Sequence, residues 1–145
     1  MSEQVKEAGR EARADKLEEE LRTLFGQVES LRQQVATIDA TVMDLATVIE
    51  TLEYIKEKGK DKTVLVPIGA GNFIRAKIVD TEHVVMGVGG RLSVEATIDE
   101  AKELINERIR ALEQLRLDLR RKLEELNARI RELIREYQES PTGTA

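Results

Sequence analysis

Apolar residues recur in the first third of the chain at alternating intervals of four and three: Leu17, Leu21, Leu24, Val28, Leu31, Val35, Ile38, Val42, Leu45, Ile49 and Leu52. A repeat of this kind sustained over several heptads predicts a coiled-coil helix rather than a lone surface helix. Leu21, Val28, Val35, Val42 and Ile49 fall at a, and all but the first are β-branched. Leu17, Leu24, Leu31, Ile38, Leu45 and Leu52 fall at d, where Leu dominates. In parallel dimers that division favours two strands, and it carries over loosely to an antiparallel pair. No proline interrupts residues 10–58, and Lys56, Lys58 and Gly59 supply a cationic last turn and a glycine stop.

A second helix is predicted over about 98–138. Thr97, Ile98, Asp99 and Glu100 form a capping box, in which the Thr97 hydroxyl accepts from the Glu100 amide. The apolar row reads Ile98, Ala101, Ile105, Ile109, Leu112, Leu115, Leu119, Leu123, Leu126, Ile130, Leu133 and Tyr137. Its spacing is irregular up to Leu119 and heptad afterwards, so the irregular part is expected to pack on something other than one partner helix.

Between the helices the period falls to two. Residues 63–68 and 73–79 read as strands around the turn Gly69-Ala70-Gly71-Asn72, with Pro67 pushing the first strand to an edge or a bulge. Residues 83–88 and 91–96 flank Gly89-Gly90, a tight hairpin turn. The predicted fold class is mainly α with a small β segment: a long antiparallel two-helix coiled coil with two β-hairpins between the helices. Leu52 then falls near Ala101 or Ile105, and Leu17 near Tyr137. The domain reading is a polar N-terminal extension over 1–16, coiled-coil helices over 17–58 and 97–139, a double-hairpin assembly segment over 59–96, and a disordered tail over 140–145. Whether 1–16 prolongs the first helix stays open.

Two hairpins in series have little to pack on. A lone hairpin is marginal in water, and exposed strand edges invite pairing. The chain has no third layer to cover them, so an obligate oligomer assembled through the β segment is expected.

Composition narrows the choice of function. Of 145 residues, 41% are apolar and 35% charged, yet aromatics make up only 3%, which suits helices meeting along narrow seams. There is no Cys and one His, which removes disulfides, thiol chemistry and most His-based metal sites. The net charge of −5 offers no general drive toward nucleic acid or anionic lipid. No apolar run suggests a signal or a membrane span, so a soluble, intracellular (cytoplasmic) protein is the expectation.

Candidate chemistry is sparse. Gly69-Ala70-Gly71 and Gly87-Val88-Gly89 each begin a nucleotide fingerprint, but Ile74 and Leu92 stand at the third glycine position, and strands rather than a helix follow. His83 beside Glu82 and Asp80 reads as a surface or strand-edge histidine, without a second His for a metal. No enzymatic activity, cofactor or metal is expected. At the flanking e positions, polar residues give way to Phe25 on the first helix and Ile134 on the last. With Leu24, Leu126, Ile130 and Leu133 they widen the apolar stripe towards the free ends. Local packing between the two helices accounts for this, and so does apolar surface kept available for a guest.

The layout resembles the prefoldin alpha-subunit family of archaea over residues 20–138. The characteristic stretches are 65–71 (LVPIGAG) and 84–95 (VVMGVGGRLSVE), followed by Ala101. The resemblance implies a hexamer of two alpha and four beta subunits, with a β-barrel body carrying six coiled-coil arms. It implies ATP-independent capture of unfolded polypeptide by the arm tips and transfer to a group II chaperonin. Client contact is then assigned to Leu17, Leu21, Leu24, Phe25, Leu126, Ile130, Leu133, Ile134 and Tyr137. Subunit contact is assigned to Val64, Val66, Phe73, Ile74, Ile78, Val84, Val85 and Val94. The alternative reading is a coiled-coil scaffold or spacer subunit with no affinity for unfolded chains.

Overall fold

The computed structural model describes residues 2–139. Its elements are α1 (Ser2–Lys58), β1 (Thr63–Gly69), β2 (Asn72–Lys77), β3 (His83–Gly89), β4 (Leu92–Thr97) and α2 (Ile98–Glu139). Helix α1 therefore already runs through the polar residues 2–16. The tail read as disordered, 140–145, lies outside the described residues.

The chain forms two compact units. A helical unit joins α1 up to Asp39 with α2 from Gln114 onward, and a hairpin unit comprises Ala40–Glu113. In the helical unit the heptad residues Val28, Leu31, Val35 and Ile38 are buried with Ile130 and Leu133. Asp39 meets Arg116 and Glu18 meets Tyr137 across the pair. Twenty-one residues separate the two contacts on each helix, so the pairing is antiparallel with no slip over three heptads.

In the hairpin unit Leu52 packs with Ala96, Ile98, Ala101 and Ile105 in one buried cluster, among the neighbours that the register predicted. Val84 and Met86 of β3 pack against the same cluster. The early part of α2 thus meets a hairpin as well as a helix. The salt bridges Lys56–Asp99 and Lys102–Glu53 flank the cluster. Full burial of one such aliphatic side chain contributes about 1.5–3 kcal/mol, so this cluster is what fixes β3 and β4 to the helices.

One reading of α2 is corrected. Leu115, counted in the apolar row, is 46% exposed. Arg116 takes the seam position instead, half-buried, with Nη1 2.7 Å from Oδ1 of Asp39. With Arg116 in place of Leu115 the spacing Ile105, Ile109, Leu112, Arg116, Leu119 is regular. An arginine serves there because its aliphatic stem lies along the apolar seam while the guanidinium reaches outward to a carboxylate.

Each hairpin is a separate two-stranded antiparallel sheet, β1 with β2 and β3 with β4. Both turns have two central residues at positive φ, Ala70 and Gly71 in the first, Gly90 and Arg91 in the second. This is the backbone of the primed turns that match strand twist. The second turn lies one residue later than the glycine pair predicted, with Gly89 paired to Leu92. A register shift between Gly87 and Gly89 absorbs Val88 and moves the turn along. The same irregularity occurs between Pro67 and Gly69 in β1, at the proline where a bulge was expected. The Thr97 hydroxyl accepts from the Glu100 amide at 3.1 Å and caps α2.

At the end of α1, position 59 requires glycine for a steric reason. Its amide donates to the Ile55 carbonyl at 3.0 Å, and a Cβ there would stand 2.6 Å from that carbonyl oxygen. The φ of Gly59 is not in the left-handed region, so close approach alone excludes a side chain. Gly59→Ala is expected to destabilise by about 1–3 kcal/mol, the usual scale of overpacking. A thermal melt at fixed protein concentration checks this; an unchanged midpoint would contradict it.

Candidate functional site

Two groups of exposed apolar residues stand out from the charged helices, one in each unit. In the helical unit, Phe25 is 53% and Ile134 38% exposed. Both occupy e positions, beside the seam rather than in it, so antiparallel pairing does not cover them. The other sequence-assigned client residues are less accessible. Leu17, Leu21, Leu24, Leu126 and Tyr137 are half-buried, and Ile130 and Leu133 are buried in the seam. The structure thus brings all nine onto one helix pair and leaves Phe25 and Ile134 open to solvent.

Polar contacts span that pair beside the buried seam. The Tyr137 hydroxyl donates to Oε1 of Glu18 at 3.1 Å. This bond to a carboxylate, with the negative charges of Glu18 and Asp15, raises the pKa of the phenol. Arg129 bridges Glu20 across the helices and Glu132 along α2. These exposed pairs are individually weak, but they prefer one register over its neighbours.

In the hairpin unit the strand pairing sorts the apolar residues by face. Val64 pairs with Ala76 and Val66 with Ile74, giving one wholly apolar face. Leu65 opposite Arg75 and Pro67 opposite Phe73 lie on the other face. Every residue of β1 is exposed, and β2 has only Ala76 half-buried. Ile78, just past β2, is half-buried and extends the ladder through Lys62 and Asp61. In the second hairpin Val84, Ala96 and Met86 face the helices, while Val85, opposite Glu95, is 70% exposed. Val94 is exposed as well. Of the residues assigned to subunit contact, Val84 is therefore engaged with the chain's own core, and Val64, Val66, Phe73, Ile74, Val85 and Val94 present free surface.

Sequence reasoning passed over Leu65, Ile68, Val88 and Leu92, all more than half exposed. A signal for the first two was present: in residues 64–68 apolar side chains occur on both faces of the strand, the pattern of a strand covered on both sides.

The groups that could have suggested chemistry are matched locally. Oδ1 of Asp80 accepts from the amides of Glu82 at 2.8 Å and His83 at 3.1 Å, and Oδ2 lies 3.2 Å from Nδ1 of His83. This Asx-type turn links the two hairpins. Among the described residues no group of three His, Asp or Glu is placed to hold a metal ion. No described helix is long and apolar enough to cross a membrane.

An antiparallel helix pair with two serial hairpins, each showing apolar surface, defines the class: a two-helix, double-hairpin subunit. Comparison with known proteins agrees. The family model for "Prefoldin subunit" matches residues 24–140. The chain is 49% identical to prefoldin subunit alpha 2 of Thermococcus kodakarensis over 125 residues, covering 86% of this chain and 88% of the relative. It is 35% identical to prefoldin subunit alpha of Pyrococcus horikoshii over 126 residues, covering 86% and 85%. A solved structure of filamentous PFD from Methanocaldococcus jannaschii superposes with a TM-score of 0.73 at 36% identity, covering 82% of this chain and 98% of that one. The chain belongs to the prefoldin family and is of the alpha-subunit type, a component of a non-enzymatic molecular chaperone.

The Asp80 turn gives a pH-dependent expectation. The two backbone N–H donors, from Glu82 and then His83, hold the Asp80 carboxyl below its ordinary pKa. A lowered folded pKa means that the turn is stabilised above the ordinary carboxylate value, and that this is lost as pH falls through the folded one. Asp80→Ala should speed amide exchange at Glu82 and His83 at neutral pH, with the difference from wild type vanishing in acid. Equal exchange at neutral pH would show that the turn does not depend on this carboxylate.

Proposed function

We propose that this chain is the alpha-type subunit of a cytoplasmic hetero-oligomer, with two alpha and four beta subunits, that captures non-native polypeptide without ATP and passes it to a group II chaperonin. The observation that carries the reading is the exposure of Phe25 and Ile134 beside a seam that is otherwise half-buried or buried. Two such side chains offer little area, and at about 25 cal/mol per Å² each contact is worth a few kcal/mol at most. One helix pair would therefore hold a client weakly and release it fast. Several pairs on one body raise the effective concentration, and avidity then reaches about 10²–10⁴ times a single contact. Weak individual contacts also let a client pass to another chaperone without fuel. Leu17, Leu21, Leu24, Leu126, Ile130, Leu133 and Tyr137 would join the contact when the helix ends fray.

The open hairpin faces supply the assembly surface in this reading. Val64, Val66, Ile74 and Phe73 would pack against beta subunits or a second alpha subunit, with Ile78 at the margin of that surface and Val85 and Val94, on opposite faces of the second hairpin, at further contacts. A second reading is assembly from copies of this chain alone, favoured by the likeness to a structure described as filamentous. Sedimentation of the purified chain, with and without a beta subunit, separates the two.

The wild-type complex should suppress light scattering by an aggregating unfolded protein at near-stoichiometric ratio without nucleotide. Phe25→Ser combined with Ile134→Ser should weaken that suppression and leave assembly intact. Loss of the oligomer with capture unchanged would refute the division of labour, and normal aggregation with the wild type would favour a scaffold. Phe73→Asp and Val85→Asp should each place an unpaired charge in a subunit contact and break assembly. Unchanged sedimentation of both variants would count against the hairpin assignment.

A further inference from the structure

The two hairpins differ in what holds them. Val84 and Met86 of β3 and Ala96 of β4 pack on the chain's own buried cluster. The second hairpin also runs straight into α2, because β4 ends at Thr97 and the helix starts at Ile98. The Ile98 amide donates to the Glu82 carbonyl at 2.9 Å and ties the entry of β3 to the helix. The first hairpin has no such support. Every residue of β1 is exposed, and in β2 only Ala76 is half-buried. Among the described residues, neither strand contributes to the buried core. The Lys62 amide donates to the Gly59 carbonyl at the base of this hairpin, and on its far side Val79 is 85% exposed.

A two-stranded sheet that buries no apolar surface is marginal in water. Its cross-strand hydrogen bonds replace bonds to water and gain little, while ordering the backbone costs entropy. The turn adds no strength of its own. Ala70 holds a φ of 49°, a left-handed conformation that a Cβ disfavours, where such turns usually carry asparagine, aspartate or glycine. Val64, Val66 and Ile74 on one face, and Leu65 and Phe73 on the other, find no cover within the chain. The stability this hairpin lacks is supplied on contact with another subunit.

We infer that the first hairpin folds as part of assembly, onto a partner subunit, while the second is folded beforehand. The inference rests on the hairpin-mediated assembly proposed above and adds an order to it. The second hairpin, seated on its own helices, docks first through Val85, which is 70% exposed. The first then closes on the partner as a latch. An unassembled chain accordingly shows no permanent open edge at β1, which limits edge-to-edge pairing between stray copies. The cost is affinity, which falls by the fraction of free chains in which the latch is formed.

The test is hydrogen–deuterium exchange of the full chain, alone over a dilution series and in complex with a beta subunit. In the free chain residues 63–77 should exchange within about tenfold of the unstructured rate, as a marginal hairpin does, and residues 83–97 far more slowly. Assembly should slow 63–77 strongly. Protection of 63–77 equal to that of 83–97 in the most dilute free chain overturns the inference. Ala70→Asn supplies a second measurement, because it places asparagine before Gly71 at an exposed tip, the pair this turn favours. A larger folded fraction in the free chain should tighten the complex by about threefold; unchanged affinity overturns the inference. If a complex forms while both hairpins are equally protected beforehand, the latch fails and the proposed assembly stands. A chain that sediments as a monomer with or without a beta subunit overturns both.

Discussion

Strands whose edges and faces are left open constrain this molecule more than any other feature. Each hairpin is a two-stranded sheet, too small to be stable in water without something to lie on. The second hairpin solves this internally, because Val84, Met86 and Ala96 rest on Leu52, Ile98, Ala101 and Ile105. The first does not: β1 is exposed throughout, and its two faces carry Val64, Val66 and Ile74 on one side and Leu65 and Phe73 on the other. Apolar residues on both faces are what a strand needs when it is covered from two directions. Membership of an oligomeric chaperone family and the physics of the hairpin thus lead to the same requirement, a partner surface.

The helices answer a different constraint. A heptad seam is narrow, and its burial is complete with only the a and d positions and their immediate neighbours. Anything apolar beyond that stripe stays in water. Phe25 and Ile134 are such residues, and their exposure follows from the seam geometry without loops or cavities. The same narrowness makes register important. Arg116–Asp39, Arg129–Glu20 and Tyr137–Glu18 join the two helices at intervals along the seam. Each is modest in energy, yet a shifted pairing would part all three at once.

Leu115 illustrates how position within the heptad, rather than hydrophobicity, decides the role of a side chain. It is as apolar as Leu112 or Leu119, but it stands 46% exposed because Arg116 can serve the seam with its stem.

The amino-acid pattern alone determined the order of elements, the antiparallel pairing and the need for partners. Heptad spacing, turn chemistry and the change of period are local properties, written into neighbouring residues. It also singled out Phe25 and Ile134, because an apolar residue at an e position breaks a local rule. Three things were decided only by the tertiary structure. Which of Leu115 and Arg116 enters the seam depends on a carboxylate on the opposite helix, far away in the chain. Whether Val84 or Val85 faces the helices depends on how β3 docks, since both are equally apolar. Where the second turn falls depends on Val88 being absorbed in a bulge. Each is a choice between near-equal local alternatives, and contacts between residues distant in sequence supply the energy that separates them.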